Sequence, residues 1–106
     1  MRYEVILAPD AAEAYKKLPA RIRSQVRDAF EIHLRHEPTK VSKSRIKRLR
    51  GLSRPQYRLR IGEIRVFYDV KETTVEILAI LQKADAQKWL GKEGTSDVTG
   101  GRVSKS

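Results

Sequence analysis

The sequence predicts an α+β domain in which helices lie on one face of a mostly antiparallel sheet. Apolar residues recur at helical spacing in two neighbouring segments between residues 9 and 37. Three strand-like runs separated by short polar turns follow between residues 56 and 81. Helices that accompany a β meander bury their apolar faces against the sheet, which gives this layered architecture. At 106 residues, the chain has the length of one globular domain.

The N-terminal part of the chain is predicted to be a strand followed by a helical hairpin. Residues 2–8 alternate weakly between apolar and polar, as in a strand. Asp10, followed by Glu13, resembles a capping box and marks the start of the first helix. Pro19 begins a second helix and Pro38 closes it, and both helices carry apolar residues at i, i+3 and i+4. Two helices joined at a proline predict a hairpin.

The C-terminal part is predicted to be a β meander with a short terminal helix. A strand over residues 45–50 ends at Gly51, and the Ser-Arg-Pro segment at 53–55 is predicted as a turn. The later elements are three strands and one helix, at residues 56–61, 64–70, 75–81 and 84–90. The last of these strands is apolar on both faces except at Glu76, which predicts an interior position in the sheet.

Composition excludes several classes of protein. The chain has no cysteine, so we expect no disulfide scaffold, thiolate metal site or cysteine nucleophile. No apolar run approaches the roughly 18 residues of a membrane helix, and we expect neither a membrane span nor a signal peptide. His33 and His36 suit a packed helix face better than a metal site. One domain is expected over residues 1–90, and the Gly- and Ser-rich residues 91–106 are expected to be disordered.

Positive charge is concentrated in one stretch of the chain. The formal net charge is +10, and residues 40–65 hold ten basic residues against one acid, Glu63, a net charge of +9. Like charges this close together repel, so the arrangement costs stability and indicates an anionic partner. A solvated face that only aids solubility would suit scattered lysines. Because the block is mostly arginine, whose planar guanidinium suits phosphate, we favour phosphate recognition.

The turn at Gly62-Glu63 predicts how the strands on either side pair. Glycine at the first central position is typical of a type II′ hairpin turn. Pairing outward from this turn places six apolar or aromatic residues on the core face, namely Tyr57, Leu59, Ile61, Ile64, Val66 and Tyr68. The opposite face carries Arg58, Arg60, Arg65 and Phe67, and opposed like charges destabilise a sheet. The three arginines therefore predict a phosphate site, with Phe67 beside them to stack on a base.

Four short blocks of the sequence resemble the RelE/ParE superfamily of toxin–antitoxin toxins. They are Leu-Arg-Gly at 49–51, Tyr-Arg-Leu-Arg at 57–60, Ile-Arg-Val-Phe-Tyr at 64–68 and Val-Glu-Ile-Leu-Ala-Ile at 75–80. The resemblance covers about residues 2–90 in order and includes the strand–helix–helix–strands arrangement. As a set, the blocks are specific for the superfamily and much less specific for the activity within it.

The resemblance implies a fold, an activity and a set of partners. RelE-type toxins are small basic proteins with a microbial RNase-like fold that cut mRNA in the ribosomal A site without a metal ion. The 2′-hydroxyl attacks its own 3′-phosphate and leaves a 2′,3′-cyclic phosphate. A cognate antitoxin suppresses the toxin, and operator DNA is met only as part of their complex. The chain is accordingly expected to be a cytoplasmic mRNA endonuclease without a cofactor, whose partners are its antitoxin, the ribosome and mRNA, and no membrane.

The resemblance also assigns catalytic residues, with some departures. Arg58 and Arg60 fall where RelE-type enzymes have lysines, and Arg65 matches the arginine of the second hairpin strand. Lys83 stands at the position of a late arginine, and Trp89 lies near a late tyrosine. Arginine keeps its proton, so Lys83 is the candidate acid or base, although it also suits an ordinary helix entry. Trp89 can stack on a base or pack the helix, but it cannot take over a tyrosine's proton transfer.

The rest of the basic stretch is expected to hold RNA by contacts that do not depend on sequence. The expected RNA-binding residues are Lys43, Arg45, Lys47, Arg48, Arg50, Arg54 and Phe67. Two other functions stay open, because the lysines and the tyrosine of the RelE-type site are replaced. One is a ParE-like inhibitor of DNA gyrase, and the other is a family member that binds its antitoxin without catalysis.

Overall fold

Residues 2–96 are described by the structure, a computed structural model. The helices are α1 (Pro9–Lys17), α2 (Ala20–Ala29), which continues into a π-helical turn at Phe30–Leu34, and α3 (Lys83–Glu93). The strands are β1 (Glu4–Leu7), β2 (Ile46–Arg48), β3 (Leu52–Arg54), β4 (Tyr57–Ile61), β5 (Ile64–Lys71), β6 (Thr74–Gln82) and β7 (Thr95–Ser96). The predicted α+β class is confirmed, as is the helical hairpin.

Five strands form one mixed sheet in the order β1-β6-β5-β4-β2. Strands β4, β5 and β6 form the predicted antiparallel meander, β2 pairs antiparallel with β4, and β1 pairs in parallel with β6. Strand β6 therefore lies inside the sheet, as its two apolar faces predict. The segment predicted as a turn at 53–55 is instead mostly strand β3, which pairs with β7 in a separate two-stranded ribbon.

The predicted hairpin register is confirmed at every position. Ile61 pairs with Ile64, Arg60 with Arg65, and Tyr57 with Tyr68. Gly62 has a φ of +57°, which residues with a Cβ rarely adopt. The short turn fixes the alternation of both strands, so one face of the hairpin is apolar and the other carries the arginines.

The main core lies between the sheet and the hairpin of α1 and α2. It includes Ala11 and Val26 from the helices and Leu59, Val66 and Tyr68 from the sheet. All five of these side chains are fully buried. The Tyr68 hydroxyl donates to the Pro38 carbonyl oxygen at 2.6 Å, so its polar atom is also satisfied inside the core.

Helix α3 packs on the opposite face of the sheet, so the prediction that the helices share one face is wrong. Phe67, between Val66 and Tyr68 in β5, points away from the main core because successive strand residues face opposite sides. It packs in a second cluster with Ala79, Ala86 and Trp89. Leu78 has no partner in β5, and this bulge shifts the alternation within β6.

The ends of two helices differ from the prediction. Ala8 precedes α1 without a side-chain cap, so Asp10 does not form the predicted capping box and instead lies in the first turn. Helix α3 extends to Glu93, and the following β7 pairs with β3, so part of the expected tail has regular structure. The rest of that tail, residues 97–106, lies outside the described residues. No helix within residues 2–96 has the length and apolar character needed to cross a membrane.

A cationic cleft as the candidate functional site

A cleft of about 300 Å³ opens between the β2–β4–β5 part of the sheet and helix α3. Among residues 2–96, four cations and no carboxylate line it, and we call it the cationic cleft. Its lining residues are Lys47, Leu49, Arg58, Arg65, Phe67, Lys83, Ala86, Gln87 and Leu90. Three residues of the predicted basic stretch, Lys47, Arg58 and Arg65, therefore contribute to a concave, positively charged surface.

Strand pairing brings these side chains together from four elements. Lys47 of β2 lies opposite Arg58 of β4, which in turn lies opposite Phe67 of β5. Lys83 is the first residue of α3, and its backbone N–H donates to the Glu63 carbonyl oxygen at 2.7 Å. This bond attaches the start of the helix to the hairpin turn, so it fixes the position of α3 relative to the hairpin arginines.

Arg58 is the central cation of the cleft, and the described part of the chain gives it no counter-charge. It is half-buried, and its Nε is fully buried without a hydrogen-bond partner among the described residues. Burial lowers the pKa of Arg58, and the neighbouring charges of Arg65 and then Arg60 lower this pKa further. Within residues 2–96, no carboxylate forms an ion pair with any of these three arginines. An anion entering the cleft would supply the missing acceptor.

Arg65 combines a structural contact with its place in the cleft. It is only 7% exposed, and its Nη1 donates to the carbonyl oxygens of Gly62 at 2.8 Å and Ile64 at 3.1 Å. These bonds orient the guanidinium and brace the hairpin turn. Arg60 is exposed and does not line the cleft, so it contributes charge from the rim.

The aromatic residues do not take the places expected of them. Phe67 is fully buried, so the expectation that its ring stacks on a base is wrong. Its ring instead stacks on Trp89, with 5.2 Å between centroids and 6° between planes. Trp89 does not line the cationic cleft. Its observed role is to attach α3 to the sheet, which agrees with the packing alternative for this residue.

Arg54 is paired inside the molecule and does not offer a free charge to RNA. Its Nη1 lies 3.0 Å from Asp69 and its Nη2 lies 3.3 Å from Glu76. The Asp69 carboxylate also accepts the backbone N–H of Gln56 at 2.8 Å. We therefore remove Arg54 from the expected RNA-binding residues, because its two carboxylate partners neutralise it.

The other basic residues do not line the cleft, and strand pairing places Arg48, opposite Tyr57, on the other face of the sheet. The Arg48 Nη1 donates to the Gln56 carbonyl oxygen at 2.8 Å, and its guanidinium lies 5.3 Å from the centre of the Tyr57 ring. The Arg45 Nη1 donates to the Arg60 carbonyl oxygen at 3.3 Å. Lys43, Arg45, Arg48 and Arg50 are all exposed. Their place in an RNA interface stays a prediction.

Lys47 is the residue whose position the sequence did not reveal. It was expected only to hold the RNA backbone, yet it lines the same cleft as Arg58, Arg65 and Lys83. The pairing of Lys47 with Arg58 across β2 and β4 is the signal that places it there. This pairing joins segments separated by a loop, so no local turn predicts its register.

The chemistry of the cleft suits binding of a phosphate ester. Guanidinium groups give planar, charge-assisted hydrogen bonds to phosphate oxygens, and two lysines add mobile ammonium groups. Within residues 2–96, no three His, Asp or Glu side chains gather where they could hold a metal ion. The fold and the cleft define a small basic α+β protein with a concave cationic surface on one face of its sheet.

Comparison with known families assigns this protein to one of them. Residues 5–87 match the family model described as the ParE toxin of a type II toxin–antitoxin system, parDE. The chain therefore belongs to the RelE/ParE superfamily of toxin–antitoxin toxins, and the resemblance stated from the sequence is confirmed. No protein in the curated set matches the sequence.

Solved structures of toxins share this fold. A chain of the RelE–RelB complex from Pyrococcus horikoshii is 27% identical, with a TM-score of 0.65 over 78% of this chain and 97% of that one. A chain of the toxin–antitoxin complex RelBE2 from Mycobacterium tuberculosis is 30% identical, with a TM-score of 0.58 over 77% and 99%. Free Escherichia coli RelE matches in fold alone, with 21% identity and a TM-score of 0.63 over 86% and 93%.

Proposed function

We propose that this chain is the toxin of a toxin–antitoxin pair and cuts mRNA on the ribosome, in the cytoplasm, without a metal ion. The observation that carries the proposal is the cationic cleft, in which four cations face one space and no carboxylate lines it. A protein that only packed against a neutral partner would have no use for this concentration of unpaired charge.

The cleft residues support a transesterification in which RNA supplies its own nucleophile. The scissile phosphate would lie between Arg58 and Arg65, whose fixed positive charges stabilise the extra negative charge of the transition state. The 2′-oxygen forms a bond to phosphorus as the bond from phosphorus to the 5′-oxygen breaks. The products are a 2′,3′-cyclic phosphate and a 5′-hydroxyl. Holding the 2′-hydroxyl in line with the leaving oxygen supplies much of the remaining acceleration.

An antitoxin partner is proposed from the same surface and from the relatives. The solved complexes named above pair a RelE-type toxin with RelB or form a RelBE pair. Here the exposed Lys47 and Lys83 of the cleft favour a partner with acidic side chains. The exposed Ile32 and Val41 favour one with apolar side chains as well.

The test is to map RNA ends shortly after expression of the protein without an antitoxin. We expect new 5′-hydroxyl ends within translated messages and a rapid arrest of translation. Arg65→Lys keeps the charge but not the bonds of the guanidinium to the turn, and Arg58→Met removes the central cation. Both variants are expected to lose the cuts while remaining folded. Lys71→Ala, which removes a charge outside the cleft, serves as the matched control.

Gyrase inhibition is the second candidate function. It is favoured by the stacking of Phe67 on Trp89, which leaves no aromatic ring in the cleft free to hold a base. If gyrase is the target, brief expression produces DNA damage before translation slows, and RNA ends stay unchanged. A folded protein that is harmless on expression and still binds an antitoxin would indicate that the chain is a non-catalytic family member.

A further inference from the structure

RNA cleavage by the proposed route needs proton transfer on two sides of the phosphorus. One group takes the proton of the 2′-hydroxyl, and another gives a proton to the 5′-oxygen as its bond to phosphorus breaks. Arg58 and Arg65 keep their protons and serve neither step. Among the described residues that line the cationic cleft, Lys47 and Lys83 are the ones whose side chains can exchange a proton.

The two lysines approach the cleft from opposite sides. Lys47 lies on the edge strand β2, and Lys83 follows the end of β6. Strands β4 and β5 lie between β2 and β6. Three strand spacings of about 4.8 Å separate the two backbones by about 14 Å across the sheet. Lys47 lies in one row with Arg58, Phe67 and Ala79, and Lys83 follows four residues later, about 13 Å farther along the strand direction. Arg58 and Arg65 lie on the diagonal between these two positions, so a phosphate bound to them would lie between the two lysine side chains, as an in-line displacement requires.

The two sides differ in how they stabilise a developing anion. Lys83 is the first residue of the eleven-residue helix α3, whose N-terminal turn carries one carboxylate, Asp85, and partial positive charge from its backbone N–H groups. A 2′-oxygen that loses its proton on this side is stabilised by the partial positive charge of the helix end. Among the described residues, no helix begins on the β2 side of the cleft, where Lys47 lies. An oxygen that leaves on that side needs a proton from a side chain.

We propose that Lys47 is a catalytic residue, the general acid that protonates the 5′-oxygen as it leaves. This inference rests on the nuclease function proposed above. The 2′-oxygen bonds to phosphorus, the 2′-hydroxyl proton passes to the Lys83 amine, which has to be uncharged to accept it, and the bond to the 5′-oxygen breaks. Lys47 gives its proton to that oxygen, so the RNA keeps its total charge and ends as a cyclic phosphate and a hydroxyl.

The test combines a conservative variant with a substrate that needs no acid. Lys47→Arg keeps the positive charge but cannot give up its proton readily. Single-turnover cutting of ribosome-bound mRNA is expected to slow by about 10²- to 10⁴-fold, the usual contribution of a general acid. An mRNA with sulfur in place of the 5′-oxygen at the mapped cut site has a leaving group that departs unprotonated. On this mRNA, Lys47→Arg is expected to cut at nearly the wild-type rate.

Matched variants separate the roles of the two lysines. Lys83→Arg is expected to be slow on both substrates, and Lys71→Arg, outside the cleft, is expected to be fast on both. Lys47→Gln repeats the sulfur experiment if Lys47→Arg disturbs folding. Wild-type rates for Lys47→Arg on normal mRNA, or a defect that sulfur does not rescue, would overturn the assignment. Failure of the wild-type protein to cut either mRNA would instead reject the nuclease function.

Discussion

Replacing Arg58 by methionine should stabilise the protein while it abolishes activity. In the folded state the Arg58 Nε is buried without an acceptor, and two arginines stand beside it. A buried donor left without a partner costs about 1–3 kcal/mol, and the adjacent like charges add a few tenths to about 1 kcal/mol. Methionine has a similar length, no donor and no charge, so it removes both costs and keeps the packing.

We expect the free energy of unfolding to rise by about 1 kcal/mol. This value is the lower limit of the range for an unpaired buried donor, because Arg58 is only half-buried. For a domain of this size, that gain raises the Tm by about 4–8 °C. The assay is thermal unfolding followed by circular dichroism, in dilute chloride buffer without phosphate. Added sodium chloride should raise the Tm of the wild-type protein more than that of Arg58→Met, because salt screens the repulsion that the variant lacks.

Arg54→Met is the matched control for this experiment. It removes an arginine of the same chain that is paired with Asp69 and Glu76. Losing these partly exposed pairs should lower the free energy of unfolding by about 1 kcal/mol. If Arg58→Met lowers the Tm as Arg54→Met does, then the arginines of the cleft do not repel one another in the folded protein. The case for an anion site would then lose its physical basis.

Three further outcomes test other parts of the structure. Phosphate should raise the Tm of the wild-type protein more than chloride does at equal ionic strength. In the same thermal assay, Arg58→Met should show no such difference between the two salts. Trp89→Ala should lower the free energy of unfolding by about 2 kcal/mol in a urea titration, because the residue is half-buried and stacks on Phe67. Burial and the charge of Arg45 hold the pKa of His33 below 6.5. The contribution of neutral His33 to the free energy of unfolding is therefore present above pH 6.5 and is lost as the pH falls through the pKa of His33 in the folded state. Urea titrations from pH 7 to pH 4 should show a smaller loss of stability for His33→Gln.

The sequence predicted the features that depend on local geometry. The two-residue turn at Gly62-Glu63 fixed the pairing of Arg60 with Arg65 and the face on which the arginines lie. What alternation could not show is which residues of that face a later helix covers. Phe67 and Arg58 lie opposite each other on the same face, yet α3 buries Phe67 completely and leaves Arg58 bordering a cleft.

Contacts between distant segments were the other features that the sequence did not predict. Arg54 meets Asp69 and Glu76 only after β3 has been placed beside the ends of β5 and β6. Lys47 reaches the cleft only through the pairing of β2 with β4. A loop precedes each of these contacts, and a loop does not fix strand register as a tight turn does.

The face of the sheet that carries the cleft is divided between two kinds of surface, and this division explains how binding and stability are linked. On β5 and β6, Phe67 and Ala79 are apolar and are covered by Ala86 and Trp89 of α3. On β2 and β4, the same face carries cations, which an apolar helix surface could cover only at a large cost in desolvation. The helix therefore borders the cations without burying them, and Arg58 keeps an unpaired donor. A phosphate bound there would supply the acceptor and relieve the repulsion, so we expect the arrangement that weakens the free protein to be the one that favours binding of an anion.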